Sequence, residues 1–414
     1  MNTKKRILLI GYNFAPELTG IGKYSGEMME WLAQEGHDCK VLTAYPYYPY
    51  WKVQAPYRSK RFWYTKEVKE YATGGKLTVV RCPMYVPSAP SGLKRILVDT
   101  SFSITASLYI LKLLFAKKYD WVLTVAPSFQ FGLLGVVYKG LKNAKLWYHI
   151  QDLQIEAAQD LGMITNKAIL KVLFGLEGFI FKQADVVSSI SDGMLARIAK
   201  KTKHPLTFFP NWTETEFFKP IADKTGLKSK FGGEESDFVV LYSGAIGEKQ
   251  GLEAILTAAQ NLKSYQGLQF IICGTGPYKA VLQEKATQLG LDNLRFLPLQ
   301  PKEDFNAFLN MADLHLVIQK EKASDLVMPS KLTTILAVGG VALVTANPEA
   351  TLHKVIQEHH MGILVKAEDQ GALEKGIAEA YATKNLTLLS ANARGYAEAY
   401  LNKHTIMQAF EAQL

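Results

Sequence analysis

A chain of 414 residues exceeds what one ordinary hydrophobic core organises, so two domains are expected, each able to bury a core without staples. Its three cysteines, Cys39, Cys82 and Cys273, share no paired or metal-ligand spacing, which argues against a disulfide framework or a zinc site and fits reduced core residues in a cytosolic protein. The net charge of +9 is unevenly placed: residues 1–205 carry 28 Lys and Arg against 15 Asp and Glu, or +13, leaving 19 against 23, or −4. A basic first half suits an anionic partner. No zinc-finger, helix-turn-helix or RNP-type pattern accompanies the charge, so nucleic acid is disfavoured and an anionic membrane surface is the better candidate.

In chain order, Arg6–Ile10 (RILLI) is an apolar run too short for a secretory segment and is expected as the first strand. A glycine-bearing loop, Gly11–Gly22, leads into an amphipathic helix, Lys23–Gln34, and Lys40 opens the next strand. This start is Rossmann-like. The dinucleotide fingerprint G-x-G-x-x-G is nevertheless absent, because Ser25 stands where the third glycine would be, which disfavours a nicotinamide cofactor. Ala44–Tyr64 is too rich in Pro and aromatic residues for a helix or central strand. With Lys52, Arg58, Lys60 and Arg61 its rings suit sugars or lipid headgroups; alternatively they pack back on the domain. Leu93–Lys118 is the most membrane-like stretch, interrupted by Asp99 and Lys112, and a spanning helix is disfavoured. It reads either as a helix offering one face to a membrane interface, with Lys94, Arg95, Lys117 and Lys118 at its ends, or as an inner core helix.

Strands are expected at Asp120–Val125, Lys145–His149 and Asp185–Ile190, with Ser191 capping the helix that follows the last. His149 falls at a strand's carboxyl end, where ligands bind in α/β sheets; the competing reading is a hydrogen-bonded interior histidine. Pro205, Pro210, Pro220 and Gly232-Gly233 mark a change of domain, giving a first domain over 1–205 and a second over 206–385. The βα alternation then repeats, with strands expected at Phe238–Tyr242, Gln269–Cys273, Leu294–Leu297, Leu314–Ile318 and Val341–Thr345. Two glycine loops follow strands directly: Ser243–Gly251 (SGAIGEKQG), which supplies Lys249, and Gly274-Thr275-Gly276-Pro277. Asp325–Gly340 (DLVMPSKLTTILAVGG) is a loop turning into a short helix, with Pro329 in its first turn and Lys331 adding a cation. A helix start leaves unpaired N–H groups and a partial positive charge, so the stretch is either a phosphate site or an ordinary capped crossover.

Taken together, PELTGIG, PNWTETEFF, YSGAIGEKQGLE, ICGTGP and MPSKLTTILAVGG resemble the family 4 glycosyltransferases of the GT-B fold, closest to the colanic-acid and exopolysaccharide branch usually described as fucosyltransferases. The resemblance runs almost end to end. It implies two Rossmann-like doubly wound α/β domains facing across a cleft, with a C-terminal helix within Leu386–Leu414 returning to the first. It also implies retaining, metal-independent sugar transfer from a nucleoside-diphosphate donor, GDP-fucose among the candidates, to a lipid-linked saccharide, with no cofactor, at the inner face of the cytoplasmic membrane. By the same resemblance Gly20 approaches the donor diphosphate from the first domain and His149 stands beside the transferred sugar. Gly244 and Lys249 hold the diphosphate, Gly274, Gly276 and Pro277 lie near the base and ribose, and Ser330, Lys331 and Leu332 present backbone N–H groups to phosphate. Many relatives carry two glutamates where this chain has Leu326 and Thr334; Asp325 is placed to substitute for the first, and Thr334 to bond a hydroxyl without charge. Two further readings stay open: a sugar-nucleotide epimerase of the same architecture, and a nucleotide-sugar-binding protein without turnover.

Overall fold

The computed structural model describes residues 4–17, 20–88, 92–160, 164–318, 329–383 and 386–414. The chain divides into two compact units, one comprising 1–210 and 407–414, the other 211–406.

The first unit is built on eight strands: β1 (Arg6–Ile10), β2 (Asp38–Thr43), β3 (Thr65–Glu70), β4 (Lys76–Arg81), β5 (Trp121–Ala126), β6 (Lys145–Ile150), β7 (Val186–Ser189) and β8 (Leu206–Phe208). Their order is β3-β4-β2-β1-β5-β6-β7-β8, and all neighbours are parallel except β3 with β4. The sequence explains the exception. TKEVKE is charged along nearly its whole length and all but its first residue is exposed, which suits an edge strand that must not pair further. The interior strands are apolar on both faces, as a helix-covered parallel sheet requires. Because β8 pairs with β7, residues 206–210 belong to the first unit, and the expected boundary at 205 moves to Pro210.

The second unit holds β9 (Phe238–Ser243), β10 (Leu268–Cys273), β11 (Leu294–Leu297), β12 (Leu314–Val317), β13 (Ala342–Thr345) and β14 (Gly362–Val365), all parallel. The order β11-β10-β9-β12-β13-β14 is that of a doubly wound nucleotide-binding sheet, with its reversal between β9 and β12. Ligands bind outside the carboxyl ends at that reversal, so the loops leaving β9, β10 and β12 matter most.

Leu386–Leu414, expected to hold the helix that returns to the first domain, is divided. Its helix Thr387–Tyr400 stays in the second unit, where Arg394 donates to the carbonyls of Thr215, Phe218 and Ala337 at 3.1, 2.9 and 2.7 Å. Only Met407–Leu414 joins the first unit. There Phe410 packs against Trp147 and Phe209, and the Trp121 indole donates to a Leu414 main-chain oxygen at 2.6 Å.

Candidate active site

In the second unit the carboxyl ends of β9 and β10 lead into two loops that run side by side. Ile246 N–H donates to the Thr275 carbonyl at 2.9 Å and Tyr278 N–H to the Ile246 carbonyl at 3.3 Å. The approach admits no side chain at two positions: a Cβ on Gly274 would stand 1.9 Å from the Gly244 oxygen, and one on Gly276 1.9 Å from the Ile246 oxygen. Glycine is therefore a packing requirement here. Pro277 is exposed at the end of the second loop.

The helix Ser330–Ala337 follows Pro329 as its N-cap, and among the described residues no side chain caps it. Leu332 N–H already bonds the Pro329 carbonyl at 2.9 Å, so the backbone donors expected of Ser330, Lys331 and Leu332 reduce to the first two. The Thr334 hydroxyl donates to the Lys331 carbonyl at 2.9 Å, which leaves its oxygen able only to accept. Lys331 turns toward the glycine loops: its Nζ is 3.6 Å from the centre of the Tyr242 ring and 3.2 Å from where a Gly244 Cβ would be. That ammonium is buried with no hydrogen-bond partner among the described residues, and burial pulls its pKa down to about 7. The Tyr242 hydroxyl donates to the Ala245 carbonyl at 2.8 Å, so one side chain both supports the cation and fixes the loop. Sequence reading missed Tyr242; its place as the last aromatic before SGAIG was the available signal. Lys279 was missed as well, and its amine is held by the Gly274 and Leu297 carbonyls, each at 3.2 Å. Of Lys249 only the backbone is described, in the turn Glu248–Gln250, and Asp325 and Leu326 lie outside the described residues. A cavity of about 380 Å³ lined by Lys228, Asp237, Asp313, Gly339 and Ser390 sits at the amino ends of these strands, the end where such sheets do not bind their ligands.

In the first unit Gly20 opens the helix Gly20–Gln34 with a φ of +59°. Residues 11–17 are tied down by Glu17, whose carboxylate accepts from the amides of Tyr47 and Tyr48 at 3.0 Å and from the Asn13 side-chain amide at 2.8 Å. His149 lies near the carboxyl end of β6, 6% exposed, with Nδ1 2.9 Å from the Ser188 hydroxyl. Burial lowers its pKa to about 3, so the imidazole is neutral. Also at the carboxyl end, Asp99 is buried beside Tyr12 and Gln154. Burial raises its pKa to about 6, against the pull of hydrogen bonds and of Arg95. Sequence reading saw Asp99 only as an interruption in an apolar stretch.

Two doubly wound sheets in one chain, the second with glycine loops and a buried cation at its reversal, make the architecture of a GT-B glycosyltransferase. Residues 19–212 match the family described as "Glycosyl transferase 4-like domain", and residues 223–396 that described as "Glycosyl transferases group 1". The chain is 39% identical over 413 residues to the putative colanic acid biosynthesis glycosyl transferase WcaI of Escherichia coli (strain K12), covering 98% of each. It is 26% identical over 234 residues to the probable glycosyltransferase WbjE of Pseudomonas aeruginosa, covering 56% of this chain and 58% of that one. Among solved structures, sucrose-phosphate synthase of Thermosynechococcus elongatus superposes with a TM-score of 0.76 at 17% identity, covering 99% of this chain and 98% of that one. HepE of Anabaena, in complex with UDP and glucose, gives 0.70 at 13% with 99% of each covered. WaaG, a glycosyltransferase involved in lipopolysaccharide biosynthesis, gives 0.68 at 15%, covering 98% and 99%. The protein belongs to the group 1, family 4-type glycosyltransferases.

Proposed function

We propose that this enzyme moves a sugar from a nucleoside-diphosphate donor to a lipid-linked saccharide during assembly of a bacterial surface polysaccharide of the colanic-acid type. Its 39% identity to WcaI over nearly the whole chain supports the polysaccharide, and the UDP-glucose complex of HepE supports the donor class. The observation that carries the reading is Lys331: a buried ammonium that, among the described residues, has no hydrogen-bond partner and stands beside a helix start with no side-chain cap and two glycine loops is poised for an anion. In this reading the leaving diphosphate gathers its charge against Lys331, the Ser330 and Lys331 amides and Lys249, which take the task a divalent ion performs elsewhere. The Gly274–Pro277 loop lies along the base and ribose, Thr334 accepts from a hydroxyl, and Gly20 serves the diphosphate through its backbone. His149 bonds the transferred sugar, and Asp325 takes the place of the absent glutamate. The anomeric configuration is retained.

The test is release of nucleoside diphosphate from a panel of nucleotide sugars, with and without a lipid-linked acceptor. Release should require acceptor, and Lys331→Ala should lower kcat/KM at least about tenfold, the loss of one charge-assisted contact. Sugar interconversion without acceptor would move the assignment to an epimerase. Donor binding with no release across the panel would leave a binding protein.

A further inference from the structure

We propose that Ser188 is a positioning residue that holds His149 as the Nε2–H tautomer and so presents a single hydrogen-bond donor to the transferred sugar. The second half of this statement rests on the glycosyl-transfer reading above; the first half does not.

The sheet sets the arrangement. Along β6, Leu146, Tyr148 and Ile150 point into the core, which leaves Trp147 and His149 together on the opposite face. Ser188 on β7 is directly opposite His149 in the parallel register and is completely buried. Its Oγ is 2.7 Å from Trp147 Nε1 and 2.9 Å from His149 Nδ1. An indole N–H can only donate, so Oγ accepts from Trp147. The hydroxyl has one proton of its own, and among the described residues the imidazole Nδ1 is its only available acceptor. A neutral imidazole that accepts at Nδ1 carries its proton at Nε2. The opposite tautomer would make Ser188 accept twice and leave its O–H buried with nothing to bond, the costlier arrangement. Among the described residues Nε2 has no hydrogen-bond partner, so that N–H is the donor left over. The imidazole is kept neutral by burial, with a pKa of about 3.

The indole is itself fixed from behind. Phe410, in the C-terminal segment, meets the Trp147 ring edge-on at 4.7 Å and stacks on Phe209 at 4.6 Å and 12°, and Phe209 lies 5.0 Å from the His149 ring. A line of contacts thus runs from the C-terminal segment through indole and hydroxyl to the imidazole. Trp147 orients the Ser188 hydroxyl through its N–H, Ser188 passes that choice on to the imidazole, and Phe209 and Phe410 supply packing.

The decisive measurement is a two-bond ¹H–¹⁵N spectrum of the full chain labelled at histidine, at pH 7, with the His149 signal assigned by its loss in His149→Gln. An unprotonated Nδ1 and a protonated Nε2 are expected in the wild type. A protonated Nδ1, or an average of the two forms, overturns the role of Ser188 whatever the turnover, and this readout needs no Ser188 variant to fold. Ser188→Ala should give averaged tautomers and lower kcat about tenfold with the donor KM nearly unchanged, and Ser188→Thr should recover both. Wild-type turnover by His149→Gln, alongside a protonated Nε2, would overturn the placement of the donor at the sugar while leaving the lysine site standing.

Discussion

Lys331 has its ammonium over a ring face instead of in water, and that position sets how the protein should respond to pH. Burial lowers the amine to about 7, so above that value the neutral form dominates; an anion alongside favours the charged form and draws a proton onto the amine. Donor binding should therefore be accompanied by proton uptake, with KM nearly flat below pH 7 and rising up to about tenfold per pH unit above it. Steady-state kinetics at pH 6 and 8.5 measure this, and Lys331→Met should raise KM at pH 6 and abolish the slope. A slope that survives in the variant would assign it to another group. His149 and His315 act on stability instead. Burial lowers each to about 3, below the ordinary 6.5, so the stability they support is complete above pH 6.5 and is lost as pH falls toward 3. Asp99 has the opposite sign: raised from 3.8 to about 6, it favours the fold below pH 4, and that contribution fades as pH rises through 6. His149→Gln should flatten the fall in Tm between pH 6.5 and 4, whereas Asp99→Asn should steepen it; equal slopes in wild type and both variants would show that other groups govern the acid limb.

At the scale of elements, one short segment in each unit can be tested by itself. Gly274→Ala would place a methyl 1.9 Å from the Gly244 oxygen, backbone against backbone, so the β9 and β10 loops must part. The expected result is loss of donor binding with a modest fall in Tm, separable by thermal shift with and without nucleotide sugar. Phe410 is 2% exposed among Trp147 and Phe209, and Phe410→Ala should cost about 3–5 kcal/mol in chemical denaturation, the range for a buried aromatic. A cost below about 1 kcal/mol would mean that the C-terminal segment merely rests on the sheet. These elements also show what the sequence disclosed. RILLI, DVVSSI and VALVT read correctly because a parallel strand buried on both faces is locally apolar. The start at Pro329 was legible from short-range rules for helix termini. TKEVKE and KLTVVR were not read as the hairpin β3–β4, since an exposed edge strand shows charge where apolar residues are expected. Tyr242 beneath Lys331, Ser188 opposite His149 and Glu17 against Tyr47 and Tyr48 are set by register and long-range packing, which no local window contains. The pair Gly339-Gly340 after the short helix is visible in the sequence, but only the structure shows Ser390 bonding the Gly339 carbonyl and keeping Thr387–Tyr400 with the second unit.

For the molecule as a whole, we propose that the first unit attaches reversibly to an anionic membrane. Its basic excess of +13 lies within residues 1–205, the stretch that also contains the helix Gly92–Leu114. That helix has two apolar stripes. Val98, Phe102, Ala106, Ile110 and Leu113 are buried in the unit's core, while Leu97, Ile104, Leu108, Leu111 and the following Phe115 are exposed, Phe115 at 94%. The buried stripe and the buried Asp99 tie the helix to the sheet, so it cannot leave to span a bilayer although its length and composition would allow it. The segment Ala44–Tyr64 divides in the same way: Tyr45 and Tyr47 are buried, but Phe62 and Trp63 are 70% and 74% exposed beside Arg58, Lys60 and Arg61. An exposed apolar stripe edged by Lys94, Arg95, Lys117 and Lys118 fits a helix lying in the plane of an interface. Each basic side chain near an anionic leaflet contributes about 1 kcal/mol, and inserted rings add apolar burial, so several together suffice for reversible attachment. Sedimentation with vesicles of phosphatidylglycerol and phosphatidylcholine should show binding that needs the anionic lipid and weakens as salt rises. Neutralising the four flanking cations should remove the salt-sensitive part, and Ile104→Ser with Leu108→Ser the remainder. Binding indifferent to lipid charge, or none, would leave the exposed stripe without a membrane role and would confine the basic excess to recognition of a charged acceptor in solution.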